Sequence, residues 1–234
     1  MSQGDGLVHV QFHERPTIGR TTTPRRRSIR MSVTSRVVIA TVTATGFVLL
    51  LPGIALAHEN QVIRFGSFLG GLTHPVLGLD HFLAMVGVGI VSSMIGGRAI
   101  WTVPGMFVAA MAVGALLGRF EGSLSETVIE VGIAVSVVLI GAAIAGEGRV
   151  PTAVIAGAVL FFGFFHGYAH GTEIPDVARP AMYAFGFLIG TALIHILGVL
   201  TGEVAKRYAS GTSVLRGLGV AFSATGLLIL FGVI

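Results

Sequence analysis

Apolar runs separated by short polar breaks cover most of the 234 residues. The first, Val37 to Leu51, follows Arg36, ends at Pro52-Gly53 and is trailed by Ala55-Leu56-Ala57. A positive flank, an apolar core of only about 15 residues and a small-residue pattern form a secretory signal, whereas a membrane span needs about 20 residues. The pattern therefore predicts a signal peptide over residues 31–57, cleaved to leave His58 as the new N-terminus. The alternative is an uncleaved first membrane helix. Residues 1–30 are polar and Arg/Thr-rich, cannot bury a core and are predicted to be disordered. Met31 is an alternative start, because a complete signal follows it.

Six longer apolar runs predict six transmembrane helices in one domain, 58–234. They lie near Phe65–Met94, Ile100–Leu117, Thr127–Ala145, Pro151–Ala169, Pro180–Leu200 and Val214–Ile234. The first is expected to break near His74-Pro75, with Pro75 and Gly78 both disturbing the helix and a helix restarting at Pro75, since proline suits a first helical position. Connections are short, so sequence neighbours are expected to be antiparallel neighbours in space. The fold class is an all-α, polytopic membrane helix bundle.

Composition strengthens this reading. The chain is 53% hydrophobic and 11% charged, against about 25% charged residues in an ordinary soluble domain. Its 34 glycines suit close helix contacts in a bilayer. The net charge of +4 does not imply a nucleic-acid partner. Seven arginines fall within residues 1–57, against only Asp5 and Glu14, and the remainder is nearly balanced. With an external mature N-terminus, Arg98, Arg149, Lys206, Arg207 and Arg216 lie on the cytoplasmic side, and Arg64, Arg119 and Arg179 outside. That agrees with the positive-inside rule and puts both termini of the mature chain outside the inner membrane.

The polar residues inside the apolar runs carry the chemistry, because an ionisable group in a bilayer needs a partner or a task. HPVLGLDH supplies His74, Asp80 and His81, and FHGYAHGTE supplies His166, His170 and Glu173. His166 and His170 are one helical turn apart and Glu173 is seven residues from His166, so all three share a face if the helix continues. His74 and His81 are likewise seven apart. Asp80, about 120° round an ideal helix from His81, is placed to orient a ligand histidine. Glu130, one turn deeper than Glu126, is a candidate ligand, proton acceptor or histidine partner. In this orientation all these groups fall in the outer half of the membrane. His58, with its α-amine and imidazole, is a further candidate ligand. His195 lies either on the inward path or in the core as a satisfied histidine.

There is no cysteine, so thiolate ligation and disulfides are excluded. The remaining donors suit nickel, cobalt, zinc or manganese better than copper(I). H-E-x-x-H and the G-x-x-x-x-G-K-[ST] phosphate loop are both absent, so neither that metalloprotease arrangement nor ATP hydrolysis is encoded.

Three stretches, HPVLGLDHFLAMVGVG (His74 to Gly89), IEVGIAVSV (Ile129 to Val137) and FHGYAHGTE, resemble the HupE/UreJ family of membrane proteins. The resemblance implies a secondary permease for nickel or cobalt, not an enzyme, with no prosthetic group and with links to hydrogenase, urease or cobalamin metal supply. It implies a functional set of His74, Asp80, His81, Glu130, His166, His170 and Glu173. The extension before Met31 departs from the family pattern. Two rivals follow from the same residues: an intramembrane zinc-dependent hydrolase, and a metal-sensing or structural subunit that binds without flux.

Overall fold

The structure, a computed structural model, describes residues 66–120, 123–147, 149–173 and 179–234. The predicted leader, the 1–30 extension and His58 lie outside the described residues. Those residues form seven helices and no strand: α1 Ser67–Leu77, α2 Leu79–Ile95, α3 Ala99–Phe120, α4 Glu126–Ala145, α5 Thr152–Glu173, α6 Pro180–Ala205 and α7 Gly211–Leu230. Helices α3 to α7 are each 20 to 26 residues long with mean hydropathy of 1.6 to 2.5, enough to cross a membrane individually. The pair α1 and α2 is long and apolar enough to make a sixth span when the two are taken together, and it bends by 81° at a single residue.

That bend corrects the sequence expectation. The break falls at Gly78, not at His74-Pro75, and Pro75 is accommodated inside the last turn of α1. Gly78 is extended (φ −88°, ψ 116°) and caps the start of α2. Asp80 explains why the new helix starts here. Its Oδ1 accepts the backbone N–H of His81 at 2.7 Å, satisfying one of the amides a helix start leaves free. Its negative charge also suits the positive end of α2. The other helix ends follow familiar rules. Ser125 caps α4 by accepting from Val128 N, and Pro180 opens α6. Gly96, which ends α2, has φ +80°, a conformation that favours glycine.

The expected pairing of sequence neighbours does not hold. The closest partners are α3 with α5, α4 with α7, and α1 and α2 together with α6. Glycine decides this. On α5, Gly163, Gly167 and Gly171 recur every four residues and lie against the backbone of α3 at Phe107, Met111 and Ala115. Gly141 and Gly219 bring α4 and α7 together in the same way. Along α6, Gly186 and Gly190 receive α1, and Gly198 and Gly202 receive α2. Without hydrophobic attraction between helices in lipid, such close backbone contacts select the partners.

The opposite faces of these helices are apolar and exposed, with Trp101, Leu116, Phe161, Phe185 and Leu193 among the outward side chains. They form the lipid-facing belt of a multi-pass membrane protein. One end of the bundle gathers Arg98, Arg149, Lys206, Arg207 and Arg216 in the connections after α2, α4 and α6 and at the start of α7. There Glu147 pairs with Arg149 at 3.6 Å and with Arg216, and Glu203 pairs with Lys206 at 2.8 Å. The other end carries the start of α1 and the end of α5.

Candidate metal centre

The HGYAHG sequence of α5 builds the site through its own periodicity. Each histidine is followed by a glycine, and Gly167 and Gly171 dock on α3. One residue back is about 100° round the helix, so His166 and His170 are turned from that interface towards the middle of the bundle. His166 is completely buried and His170 is 6% exposed. The α1–α2 bend brings His74 and His81 to the same place from the other side.

The imidazoles form a continuous chain. Ring centroids are 5.0 Å apart for His74 and His170, 4.3 Å for His170 and His81, and 4.7 Å for His81 and His166. His74 Nε2 lies 3.1 Å from His170 Nδ1 and 3.3 Å from Glu173 Oε2. The donor atoms of His74, His170 and Glu173 all fall within 4.8 Å of one another. Exposure declines along the chain: the side chains of Glu173 and His74 are 46% and 28% exposed, against 6% for His170. The set runs from the bundle's edge to its interior. Tyr183 and Phe187 of α6 back it with edge-on and tilted ring contacts. A cavity of about 330 Å³ between α3 and α6 reaches His170 beside Arg119 and Phe187.

Neighbouring groups fix which nitrogen of each deeper imidazole is free. Asp80 Oδ1 sits 2.7 Å from His81 Nδ1, so that nitrogen carries the proton and donates, leaving the Nε2 lone pair available. Ser136 Oγ donates to the Ile133 carbonyl at 2.6 Å, so its lone pair accepts the His166 Nε2–H at 2.9 Å. His166 Nδ1 is then the free nitrogen. His81 Nε2, His166 Nδ1 and His170 Nε2 are all buried without a hydrogen-bond partner. Three unpaired nitrogens in one packed cluster are costly unless something binds them, since each such group costs about 1–3 kcal/mol. Neutral imidazole nitrogens oriented by a hydrogen bond on the other nitrogen are the usual form of a metal-ligating histidine. The carbonyl end of α1, whose last turn holds His74, adds a partial negative charge suited to a cation.

The family described as HupE / UreJ protein matches residues 45–229. The chain is also 40% identical over 184 residues to the protein named HupE from Rhizobium leguminosarum bv. viciae, covering 75% of this chain and 94% of that one. The chain belongs to the HupE/UreJ family. No solved structure matches it.

Of the seven residues that the HupE/UreJ resemblance implies, the fold gathers His74, Asp80, His81, His166, His170 and Glu173. Glu130 is not among them: its side chain is on the exposed face of α4. Ile129, Ile133 and Ser136 occupy the inward face, and Glu130 is one residue out of step with them. His195 is buried on α6, with its ring centroid 5.4 Å from Phe107, which is itself 5.4 Å from His166. Sequence reasoning missed Ser136 and Phe107. The spacing of Ser136 from Ile129 and Ile133 was the available signal for the first. Nothing in the sequence marked Phe107 among its fifteen phenylalanines.

Proposed function

We propose that this HupE/UreJ protein is a secondary transporter that takes up nickel or cobalt as divalent cations, in support of hydrogenase, urease or cobalamin metal supply. The observation that carries the reading is the cluster of three buried imidazole nitrogens, on His81, His166 and His170, that have no partner. The non-cytoplasmic face is the one with Glu173 and His74, opposite the arginine-rich end, in keeping with the positive-inside rule.

The ion meets Glu173 and His74 first, where a carboxylate and an imidazole replace part of its water shell. His170 belongs both to this outer set and to the deeper trio, so it hands the ion from mixed oxygen and nitrogen ligation to imidazole ligation. Asp80 and Ser136 hold the two deepest imidazoles with their lone pairs free. Intermediate-softness nitrogen donors suit nickel and cobalt over magnesium or calcium. An inside-negative potential favours inward movement of a divalent cation by roughly 4.6 kcal/mol per 100 mV, twice the single-charge value.

Uptake of radiolabelled nickel and cobalt, each competed with the other, in cells lacking other importers tests this. Expression of the chain is expected to raise uptake, and His81→Ala or His166→Ala to abolish the increase. Uptake that these substitutions leave unchanged ends the reading.

A further inference from the structure

The outer cluster does not account for His195. It sits in the middle of α6, 3% exposed, and its Nδ1–H donates to the Thr191 carbonyl at 2.8 Å. That bond fixes the tautomer and leaves the Nε2 lone pair free, as Asp80 does for His81. His195 Nε2 is buried with no partner, and so is the hydroxyl of Thr191, one turn earlier on the same helix. Among the described threonines, Thr191 alone has a fully buried hydroxyl with no partner. Thr73 and Thr201 also lie inside helices, and each satisfies its hydroxyl on the carbonyl four residues back, at 2.9 Å and 2.8 Å. Thr191 is fully buried, where the same bond is worth more, yet leaves its oxygen unused. A histidine serving only as core filler would have no reason to keep an unprotonated buried nitrogen one helical turn from an unpaired buried hydroxyl.

Its position is informative. The carbonyl of His195 packs against Gly89 of α2, which lies eight residues, or about 12 Å along the helix, inward of His81. The buried Phe107 ring stands between His166 and His195 and touches both. Further inward on the same α2–α6 seam, Ser93 Oγ donates to Glu203 Oε1 at 2.9 Å, and Lys206 donates to the Ser93 carbonyl. His195 thus lies between the outer imidazoles and a polar cluster at the arginine-rich end.

We propose that His195 Nε2 and Thr191 Oγ1 form a second holding site for the divalent cation, inward of Phe107, which receives the ion from the outer cluster. The proposal rests on the transport reading above and adds a second station to it. One imidazole and one hydroxyl are a thinner donor set than the three outer imidazoles, so water completes the shell. The inner site therefore binds more weakly, which lets the ion leave inwards.

The test uses the purified full chain. Cobalt binding in detergent is followed by visible absorption, and radiolabelled cobalt flux is measured in proteoliposomes with an inside-negative potential. His195→Ala is expected to keep cobalt binding at the outer cluster while lowering flux roughly tenfold or more, the scale of losing a metal-positioning group. His195→Cys is expected to recover flux and to favour cadmium relative to cobalt more than the parent protein does, because a thiolate is a softer donor. Wild-type flux in His195→Ala overturns the proposal. So does loss of outer-cluster binding together with flux, which marks a core-packing residue, or a cysteine variant no better than alanine. If His81→Ala also carries cobalt at the parental rate, the transport reading itself has failed. If His81→Ala stops flux and His195→Ala does not, only the inner site is lost.

Discussion

Asp80→Ala is expected to weaken cobalt binding by about tenfold to a hundredfold while the bundle stays folded. Asp80 Oδ1 makes two contacts of 2.7 Å, one to the backbone N–H of His81 and one to its Nδ1. Both are in the short range of bonds to a charged acceptor, which contribute about 1.5–3 kcal/mol each. The backbone bond bears on the start of α2. The Nδ1 bond bears on the metal, because it keeps the His81 proton away from the nitrogen that faces the cluster. Its loss converts to about one to two decades of affinity at 1.4 kcal/mol per decade. The Asp80 side chain is 27% exposed, so water can partly replace it, and the lower end, about tenfold, is the expected value. Asp80→Asn retains an acceptor oxygen without the charge and should lose less. The assay is a cobalt titration of each purified variant by visible absorption, with circular dichroism as the check on folding. A dissociation constant within about twofold of the parent in Asp80→Ala, on the scale where orienting partners cost 10–100-fold, would refute the argument that this carboxylate sets the tautomer.

Three further outcomes follow from the same geometry. Ser136→Ala removes the acceptor of the His166 Nε2–H; cobalt affinity should fall by about tenfold, read in the same titration, and the buried N–H left unpaired should lower stability by about 1–3 kcal/mol. Gly167→Ala places a methyl group against the Met111 backbone carbonyl, which cannot yield as a side-chain tip would; it should destabilise the protein by about 1–3 kcal/mol and lower its melting temperature in detergent. Cobalt at about 100 times its dissociation constant should stabilise the folded chain by about 2.7 kcal/mol, chelator should reverse this, and His170→Ala should show a much smaller shift.

Much of the membrane architecture was legible from the run lengths. The spans expected near Ile100–Leu117 and Thr127–Ala145 correspond to α3 and α4 within three residues at either end, because twenty apolar residues allow few other structures. The site was legible in part because HGYAHG and HPVLGLDH place ionisable groups where a bilayer penalises them. The place of the break was not. Pro75 and Gly78 both stood out as disturbing the helix, but a proline in a helix's last turn costs little, whereas Gly78 and the Asp80 carboxylate together allow a new helix to start. Helix pairing was not legible either, since short loops limit distance at one end only and glycine contacts along the whole length choose the partner. Glu130 lies apart from the gathered histidines for a reason of phase: a residue next to the inward-facing Ile129 on a helix faces about 100° away from it.

The central claim is that side chains from α1, α2 and α5 converge on one cation, and X-ray absorption at the cobalt edge of the loaded protein tests it most directly. The account predicts the outer-shell scattering of at least two imidazoles, reduced in His81→Ala and again in the His81→Ala/His166→Ala pair. A shell made only of oxygen, or an imidazole signal unchanged by both substitutions, would contradict it.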